Sequence, residues 1–154
     1  MQNFFELFSL STKFALDLDA IEQKYFAFQK QFHPDSAGVA EIENSILINE
    51  AYQVLQNPLR RAAHILQLNG IDVEKDSLAL KPDMATLEKV LEIQEKIPEL
   101  DAVGIASLKT ELNSEIKTLL EKTAERLENK DFAAAAQFLI KAKYFDKTLR
   151  DLRK

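Results

Sequence analysis

A run of apolar residues at helical spacing ends at a proline, and this limits what the first part of the chain can form. Steps of three and four residues place five side chains on one face of a helix: Leu18, Ile21, Tyr25, Phe28 and Phe32. Asp17 precedes them at a position suited to cap that helix. Pro34 lacks an N–H group and disfavours helical backbone at His33, so the helix must end there. His33 and Asp35 are therefore expected on a turn.

A second apolar stripe follows the tripeptide His33-Pro34-Asp35. Its members recur at the same helical spacing, as Ile48, Ala51, Tyr52 and Leu55. Two helices with facing apolar stripes and a short polar connection form an antiparallel pair, here with the tripeptide at its tip. An isolated copy of the tripeptide would usually be an ordinary turn in which Asp35 bonds its local backbone. Helices of suitable length and face flank this copy, which favours a functional loop.

The helical hairpin resembles a J-domain, and other segments extend the resemblance to HscB-type co-chaperones, which are dedicated to iron–sulfur cluster assembly. The matching segments are Asn3–Phe8, Ile48–Leu55, Asn57–Ala62, Leu91–Ile97 and Lys143–Lys147. They are distributed over nearly the whole chain. The resemblance implies an all-α, L-shaped protein with an N-terminal J-domain and a C-terminal three-helix bundle.

The few glycines and prolines indicate where one half of the chain gives way to the other. Asn69-Gly70 suits the end of a helix, because glycine is favoured just past a helix C-terminus. Helical periodicity then fades, and Pro82 suits the first position of a new helix. The expected division is a J-domain over 1–74, a linker over 75–82 and a three-helix bundle over 83–154. The predicted bundle seam consists of Leu108, Leu112, Ile116, Leu119, Thr123 and Leu127, and then of Phe132, Ala135, Leu139, Ala142, Leu149 and Leu152.

Composition limits the classes of partner. Of the 154 residues, 46% are hydrophobic, which is enough for a buried core. A net charge of −5 is unlike the basic surface of a nucleic-acid binder, so we expect protein partners and no nucleic acid. No apolar run approaches the roughly 18 residues that span a bilayer, and the start of the chain does not resemble a signal peptide. We therefore expect no membrane partner and a cytoplasmic location.

The absence of cysteine removes disulfides, thiolate zinc sites and any iron–sulfur cluster held by cysteines of this chain. The two histidines, His33 and His64, have no recognisable metal-ligand spacing, so we expect no cofactor and no metal. An acid–base pair of His33 and Asp35 is the enzymatic alternative. It is disfavoured because the two residues flank a proline on a loop and no cysteine supplies a nucleophile. The chain is not expected to be an enzyme.

The resemblance assigns a chaperone-binding surface. In J-domains the tripeptide docks on the ATPase of a heat-shock chaperone of the seventy-kilodalton class, which performs the chemistry. His33 and Asp35 would supply hydrogen bonds, and Pro34 would hold them in a fixed turn. Lys24 and Lys30 would attract the acidic surface of the chaperone. Basic residues are sparse on this helix, which favours a dedicated partner, the HscA-type chaperone, over a general one.

The first helix of the bundle carries more apolar surface than a three-helix bundle needs. Its core sector holds Val90, Ile93 and Ile97. The adjacent sector holds Met84, Leu87 and Leu91, bordered by Glu88, Glu92 and Glu95. An apolar strip beside carboxylates on an outer helix is typical of a protein-docking surface. From the pattern alone, Leu87 and Leu91 could instead be core residues of a tilted bundle.

The resemblance assigns this second surface to binding of the iron–sulfur scaffold protein IscU. The family positions fall on Leu87, Leu91, Glu92, Glu95 and Tyr144. Tyr144 lies off the apolar stripe of its own helix, although an exposed tyrosine needs no special role. The family commonly has phenylalanine and methionine where this chain has Thr86 and Glu88, so a smaller and more acidic patch is expected. A J-domain co-chaperone for a different client is the remaining alternative.

Overall fold

The computed structural model describes residues 2–31, 38–74 and 81–152, and within these ranges the regular structure is helical. The elements are α1 (Phe4–Leu7), α2 (Leu18–Gln31), α3 (Val39–Gln56), α4 (Pro58–Leu68), α5 (Met84–Lys96), a 3-10 turn (Ile97–Glu99), α6 (Ala102–Glu128) and α7 (Phe132–Asp151). The prediction of an all-α fold is confirmed.

Side-chain caps begin the first two helices. Asn3 Oδ1 accepts hydrogen bonds from the N–H groups of Phe5 and Glu6 at 2.9 and 3.3 Å. Asp17 Oδ1 accepts from two N–H groups in the first turn of α2 at 3.0 and 3.2 Å, so the predicted cap is confirmed. These bonds satisfy N–H groups that have no acceptor within the helix.

Helices α2 and α3 pack against each other as the two arms of the predicted hairpin. The Tyr25 ring stacks on Tyr52 with centroids 4.0 Å apart, and the Tyr25 hydroxyl donates to Asn49 Oδ1 at 2.5 Å. Four members of the two predicted stripes are buried: Ile21, Ile48, Ala51 and Leu55. Leu18 is 47% exposed because it is the first residue of α2, and Phe32 lies outside the described residues.

Helix α4 connects the hairpin to the second half of the chain. Asn57 caps it and Pro58 occupies its first helical position. Its inner face joins residues of α6 and α7 in one buried cluster, which includes Ala62, Ile65, Leu66, Leu127, Ala135, Ala136, Leu139 and Ile140. The helix ends at Leu68, and Gly70 adopts φ +84° just beyond it, as the predicted helix end requires. The buried core is therefore continuous across α4.

Helices α5, α6 and α7 are the three helices predicted for the second half. A second buried cluster holds them together, with Val90 and Ile93 from α5, Leu112, Ile116 and Leu119 from α6, and Ala142, Phe145, Leu149 and Leu152 from α7. Helix α5 begins at Met84 rather than at Pro82, because Asp83 has extended backbone and acts as the N-cap. Among the described residues, no helix combines the length and apolar character needed to cross a membrane.

Candidate functional site

The predicted chaperone-binding tripeptide His33-Pro34-Asp35 lies outside the described residues. The helices that flank it are described, with α2 ending at Gln31 and α3 beginning at Val39. The contacts of Tyr25 with α3 hold these two helices together. The structure therefore contains the helical frame expected for the loop, and the role of the tripeptide stays a prediction.

The two lysines predicted to attract the chaperone differ in their surroundings. The ammonium group of Lys24 is half-buried and donates to the backbone carbonyl of Phe8 at 2.7 Å, which ties α2 to the end of α1. Lys30 is exposed in the last turn of α2, where a positive charge also suits the negative end of the helix dipole. Lys30 presents its charge to solvent, whereas Lys24 also has a packing role.

His64, the second histidine, is buried in α4. Its Nε2 atom accepts a hydrogen bond from the backbone N–H of Phe4 at 3.1 Å, and its ring stacks on the Phe4 ring with centroids 4.6 Å apart. Burial lowers the pKa of the imidazole, and the neutral ring is the form that accepts this bond. His64 thus anchors the start of α1. Within the described ranges, no group of three or more His, Cys, Asp or Glu side chains is arranged to hold a metal ion.

A capping network positions α5 against α7. One carboxylate oxygen of Asp83 accepts from the Thr86 hydroxyl at 2.6 Å and from its N–H at 2.9 Å, and the other pairs with Lys141 Nζ at 3.0 Å. These contacts, the Thr86 hydroxyl first, lower the pKa of Asp83 to about 2. Thr86 is only 5% exposed. The departure from the family pattern at Thr86 therefore affects a packed capping residue and not the outer face of α5.

The outer face of α5 presents the predicted apolar sector and its glutamates. We call this surface the α5 strip; it consists of Met84, Leu87, Leu91, Glu88, Glu92 and Glu95. Leu91 is 57% and Met84 69% exposed, Leu87 is half-buried, and the three glutamates are exposed. Val90 and Ile93 are buried in the core instead. Leu91 is therefore not a core residue, and Leu87 lies where the core meets the surface.

Helix α5 contains two lysines, Lys89 and Lys96, and the charge of Lys89 is directed away from the α5 strip. Its Nζ atom pairs with Glu115 Oε2 of α6 at 2.6 Å and lies 5.5 Å from the centroid of the Phe145 ring. This ion pair holds the ammonium group on the α6 side of α5. Lys89 therefore does not neutralise the glutamates of the α5 strip.

Tyr144 is the predicted scaffold-binding residue that lies outside α5. It is 37% exposed on α7. Lys141, one turn earlier on a neighbouring face, contacts Asp83 at the start of α5, and Phe145 lies beneath Lys89. These two contacts follow the same order in both helices, so α5 and α7 run parallel and Tyr144 lies at the level of the first two turns of α5. Its place beside the α5 strip in a shared binding surface stays a prediction.

Comparison with known proteins agrees with both halves of this description. Residues 82–153 match a family described as the HSCB C-terminal oligomerisation domain. Over 164 aligned residues the chain is 29% identical to the co-chaperone protein HscB homolog of Vibrio cholerae, and the alignment covers 99% of this chain and 95% of that protein. The chain is thus similar to HscB co-chaperones over its whole length, and its second half matches the HscB C-terminal family.

Solved structures of HscB and Jac1 co-chaperones have the same fold. The chaperone HscB from Vibrio cholerae has a TM-score of 0.85 at 28% identity, with 99% of this chain and 96% of that chain covered. The human co-chaperone protein HscB has a TM-score of 0.89 at 24% identity, with 99% and 81% covered. The Jac1 co-chaperone of Saccharomyces cerevisiae has a TM-score of 0.86 at 24% identity, with 100% and 96% covered. The last two similarities show the fold alone.

Four further residues shape this surface although they were not predicted to bind the scaffold. Met84 extends the α5 strip, as its spacing from Leu87 and Leu91 indicates. The spacing of Asp83 and Thr86 is a recognisable capping pattern. Lys141 completes that network from a different helix, and no local pattern could have paired it with Asp83.

Proposed function

We propose that this chain is a co-chaperone of iron–sulfur cluster assembly. It stimulates the ATPase of an HscA-type chaperone and delivers an IscU-type scaffold to it, which aids cluster transfer and maturation of iron–sulfur proteins. The chain binds and positions its partners in the cytoplasm, and the chaperone hydrolyses the ATP. The observation that carries the proposal is an exposed, glutamate-bordered apolar strip on a helical fold that is similar to HscB co-chaperones along its whole length.

The chaperone-binding half of the proposal rests on the α2–α3 hairpin. His33, Pro34 and Asp35 are assigned to the loop between these helices, where His33 and Asp35 supply hydrogen bonds to the chaperone. Lys30 supports this surface, because its exposed charge attracts acidic groups from a distance. Lys24 contributes more weakly, since its ammonium group already donates to the Phe8 carbonyl.

The scaffold-binding half rests on Leu87, Leu91, Glu92, Glu95 and Tyr144. Leu91 offers an apolar side chain that a partner can bury, and burial of such side chains supplies most of the binding free energy at interfaces. The glutamates at the edge select a scaffold surface with basic groups. Tyr144 adds an amphipathic ring on the adjacent helix, a residue type enriched at protein interfaces.

Delivery requires the two surfaces to be held in a fixed relation, and the continuous core supports this. Ile65 and Leu66 of α4 are buried in the same cluster as Leu139 and Ile140 of α7, the helix that carries Tyr144. Packed protein interiors resist deformation, so a force on one surface is transmitted to the other. The proposed division remains a J-domain over 1–74, a linker over 75–82 and a three-helix bundle over 83–154. Residues of the first and last of these units are buried in one cluster.

The test is steady-state ATP hydrolysis by an HscA-type chaperone with this protein, with and without the scaffold. We expect the protein and the scaffold together to stimulate hydrolysis by more than the sum of their separate effects, and His33→Gln to abolish the effect. Glu121→Gln, on the exposed face of α6, is the matched control. Absence of any stimulation by the unmodified protein would refute the assignment of the tripeptide.

A J-domain co-chaperone for a different client is the second candidate. Glu88 favours it, because a charged and exposed residue stands in the α5 strip where the family commonly has an apolar one. Thr86 no longer favours it, since this residue is packed against the cap of α5. Stimulation of the chaperone that does not depend on the scaffold would select this second candidate.

A further inference from the structure

Helix α3 has apolar residues on two opposite sides, and only one side is buried. Ile48, Ala51 and Leu55 lie in the core, with at most 6% of each residue exposed. On the outer side, Val39 is 74%, Ile42 48% and Ile46 62% exposed. Packing against α1, α2 and α4 explains the first set and leaves the second in water. A surface helix normally has a polar outer face, so the exposure of three large apolar side chains on one side of α3 needs an explanation.

The outer side of α3 repeats the residue pattern of the α5 strip. Val39, Ile42 and Ile46 have the spacing of Met84, Leu87 and Leu91. Glu43 and Glu50 correspond to Glu88 and Glu95, and Leu47 stands where α5 has Glu92. At 100° per residue, the two glutamates are centred about 60° around the helix from the three apolar residues. We call this surface the α3 strip; it consists of Val39, Ile42, Ile46, Glu43 and Glu50. Two different helices thus present an exposed apolar strip with glutamates beside it.

The charge on α3 points to the kind of partner that the α3 strip fits. Residues 39–56 contain Glu41, Glu43 and Glu50 and no Lys or Arg. Glu43 and Glu50 are both exposed, and Glu50 also lines a hollow of about 510 Å³ with Arg60, Asp72 and Glu74. A partner that covers this surface needs apolar side chains for the strip and basic side chains for its acidic edge.

We propose that the α3 strip docks an amphipathic helix of a partner protein whose apolar residues are flanked by Lys or Arg. A helix laid along α3 can bury Ile42 and Ile46 at successive turns, and its basic residues can reach Glu43. The surface is separate from the α5 strip, which lies on a different helix. The protein therefore has room for two such helices at once.

The experiment is isothermal titration calorimetry of the full chain with a synthetic helical peptide of about 18 residues, or five turns. The peptide has leucine at i, i+3 and i+7 positions and lysine on both sides of that stripe. We expect two peptides to bind per chain. Ile42→Gln with Ile46→Gln should reduce the number to one, and Leu87→Gln with Leu91→Gln should reduce it to one independently. Glutamine is a good helix former, so these changes keep the helices.

Control variants distinguish peptide binding at the α3 strip from nonspecific binding and from binding at the proposed scaffold surface. Asn44→Gln, exposed on another face of α3, should leave two peptides bound. Glu43→Gln should weaken the salt dependence of the α3 site between about 0.1 and 1 M salt, where the Debye length falls from about 10 to about 3 Å. Circular dichroism confirms that each variant is folded.

One peptide per chain, unaffected by Ile42→Gln with Ile46→Gln, would overturn the α3 inference and leave the proposed function intact. If the unmodified protein bound one peptide, at the α3 strip and not at Leu87 and Leu91, the result would instead weaken the proposed function. Equal binding of a peptide with glutamate in place of lysine would overturn the basic partner. Self-association in sedimentation velocity that disappears in the α3 variant, without peptide binding, would show that the strip contacts a second copy of the chain and would also overturn the proposal.

Discussion

Leu91→Ala is expected to weaken binding of the scaffold while changing the stability of the fold only slightly. Leu91 is 57% exposed, so alanine forfeits less than half of the burial that a core leucine has. Full burial of a leucine contributes roughly 1.5–3 kcal/mol, which leaves about 1 kcal/mol at this position. In a chain of this size that amounts to a fall of about 2–4 °C in the melting midpoint.

Leu139→Ala is the matched core control, since Leu139 is completely buried. Removing a buried leucine costs about 2–5 kcal/mol, so the melting midpoint should fall by roughly 5–20 °C. For scaffold binding, Leu91→Ala should have the larger effect and Leu139→Ala the smaller one. Truncating an apolar anchor that the scaffold covers costs more than about 1.4 kcal/mol, or tenfold in Kd, and Leu139 does not reach the surface.

The assay measures Kd for the scaffold by calorimetry and the melting midpoint by circular dichroism on the same samples. We expect Leu91→Ala to raise Kd at least about tenfold and Leu139→Ala to leave it nearly unchanged at a temperature where the variant is folded. Leu87→Ala should fall between them in stability because Leu87 is half-buried. A melting midpoint that falls as far for Leu91→Ala as for Leu139→Ala, with unchanged Kd, would refute the docking surface.

Three further predictions concern single contacts. Tyr144→Ala should weaken scaffold binding measured by calorimetry, and Tyr144→Phe should retain most of it if the ring face is what the scaffold contacts. Asp83→Ala should lower the melting midpoint, and the difference from the unmodified protein should vanish as pH falls from 3.8 towards 2, because the pKa of Asp83 is depressed to about 2 and its stabilising charge is lost there. Burial lowers the pKa of His64 below its usual 6.5, so stability should fall as pH drops below 6.5; His64→Gln, which can still accept from Phe4, should reduce this slope in acid unfolding curves.

Local patterns predicted the helices and most of their buried faces. Ile48, Ala51 and Leu55 recur at helical spacing, and each is buried. The Asp17 cap and the helix end at Gly70 depend on neighbours within a few residues, and the structure contains both. The prediction that a helix begins at Pro82 is wrong, because the next residue, Asp83, is the N-cap and the helix begins at Met84.

Contacts between distant parts of the chain were beyond local reasoning. Lys24 looked like a surface charge, yet its ammonium group donates to a carbonyl sixteen residues earlier. The burial of Thr86 depends on how α5 lies in the bundle, and no spacing within the helix shows that. The sequence did predict the apolar and acidic sectors of α5, but the exposure of Leu91 had to come from the structure, since the same pattern also fits a core helix.

The packing of α4 has a consequence for any attempt to divide the protein. Ala62 and Leu66 are fully buried in a cluster to which Leu127 of α6 and Leu139 of α7 also belong. A fragment that ends after α4 would expose this apolar face to water, and the complementary fragment would expose the matching faces of α6 and α7. The separated pieces should be less stable than the intact chain and prone to aggregate, because each half covers apolar surface of the other.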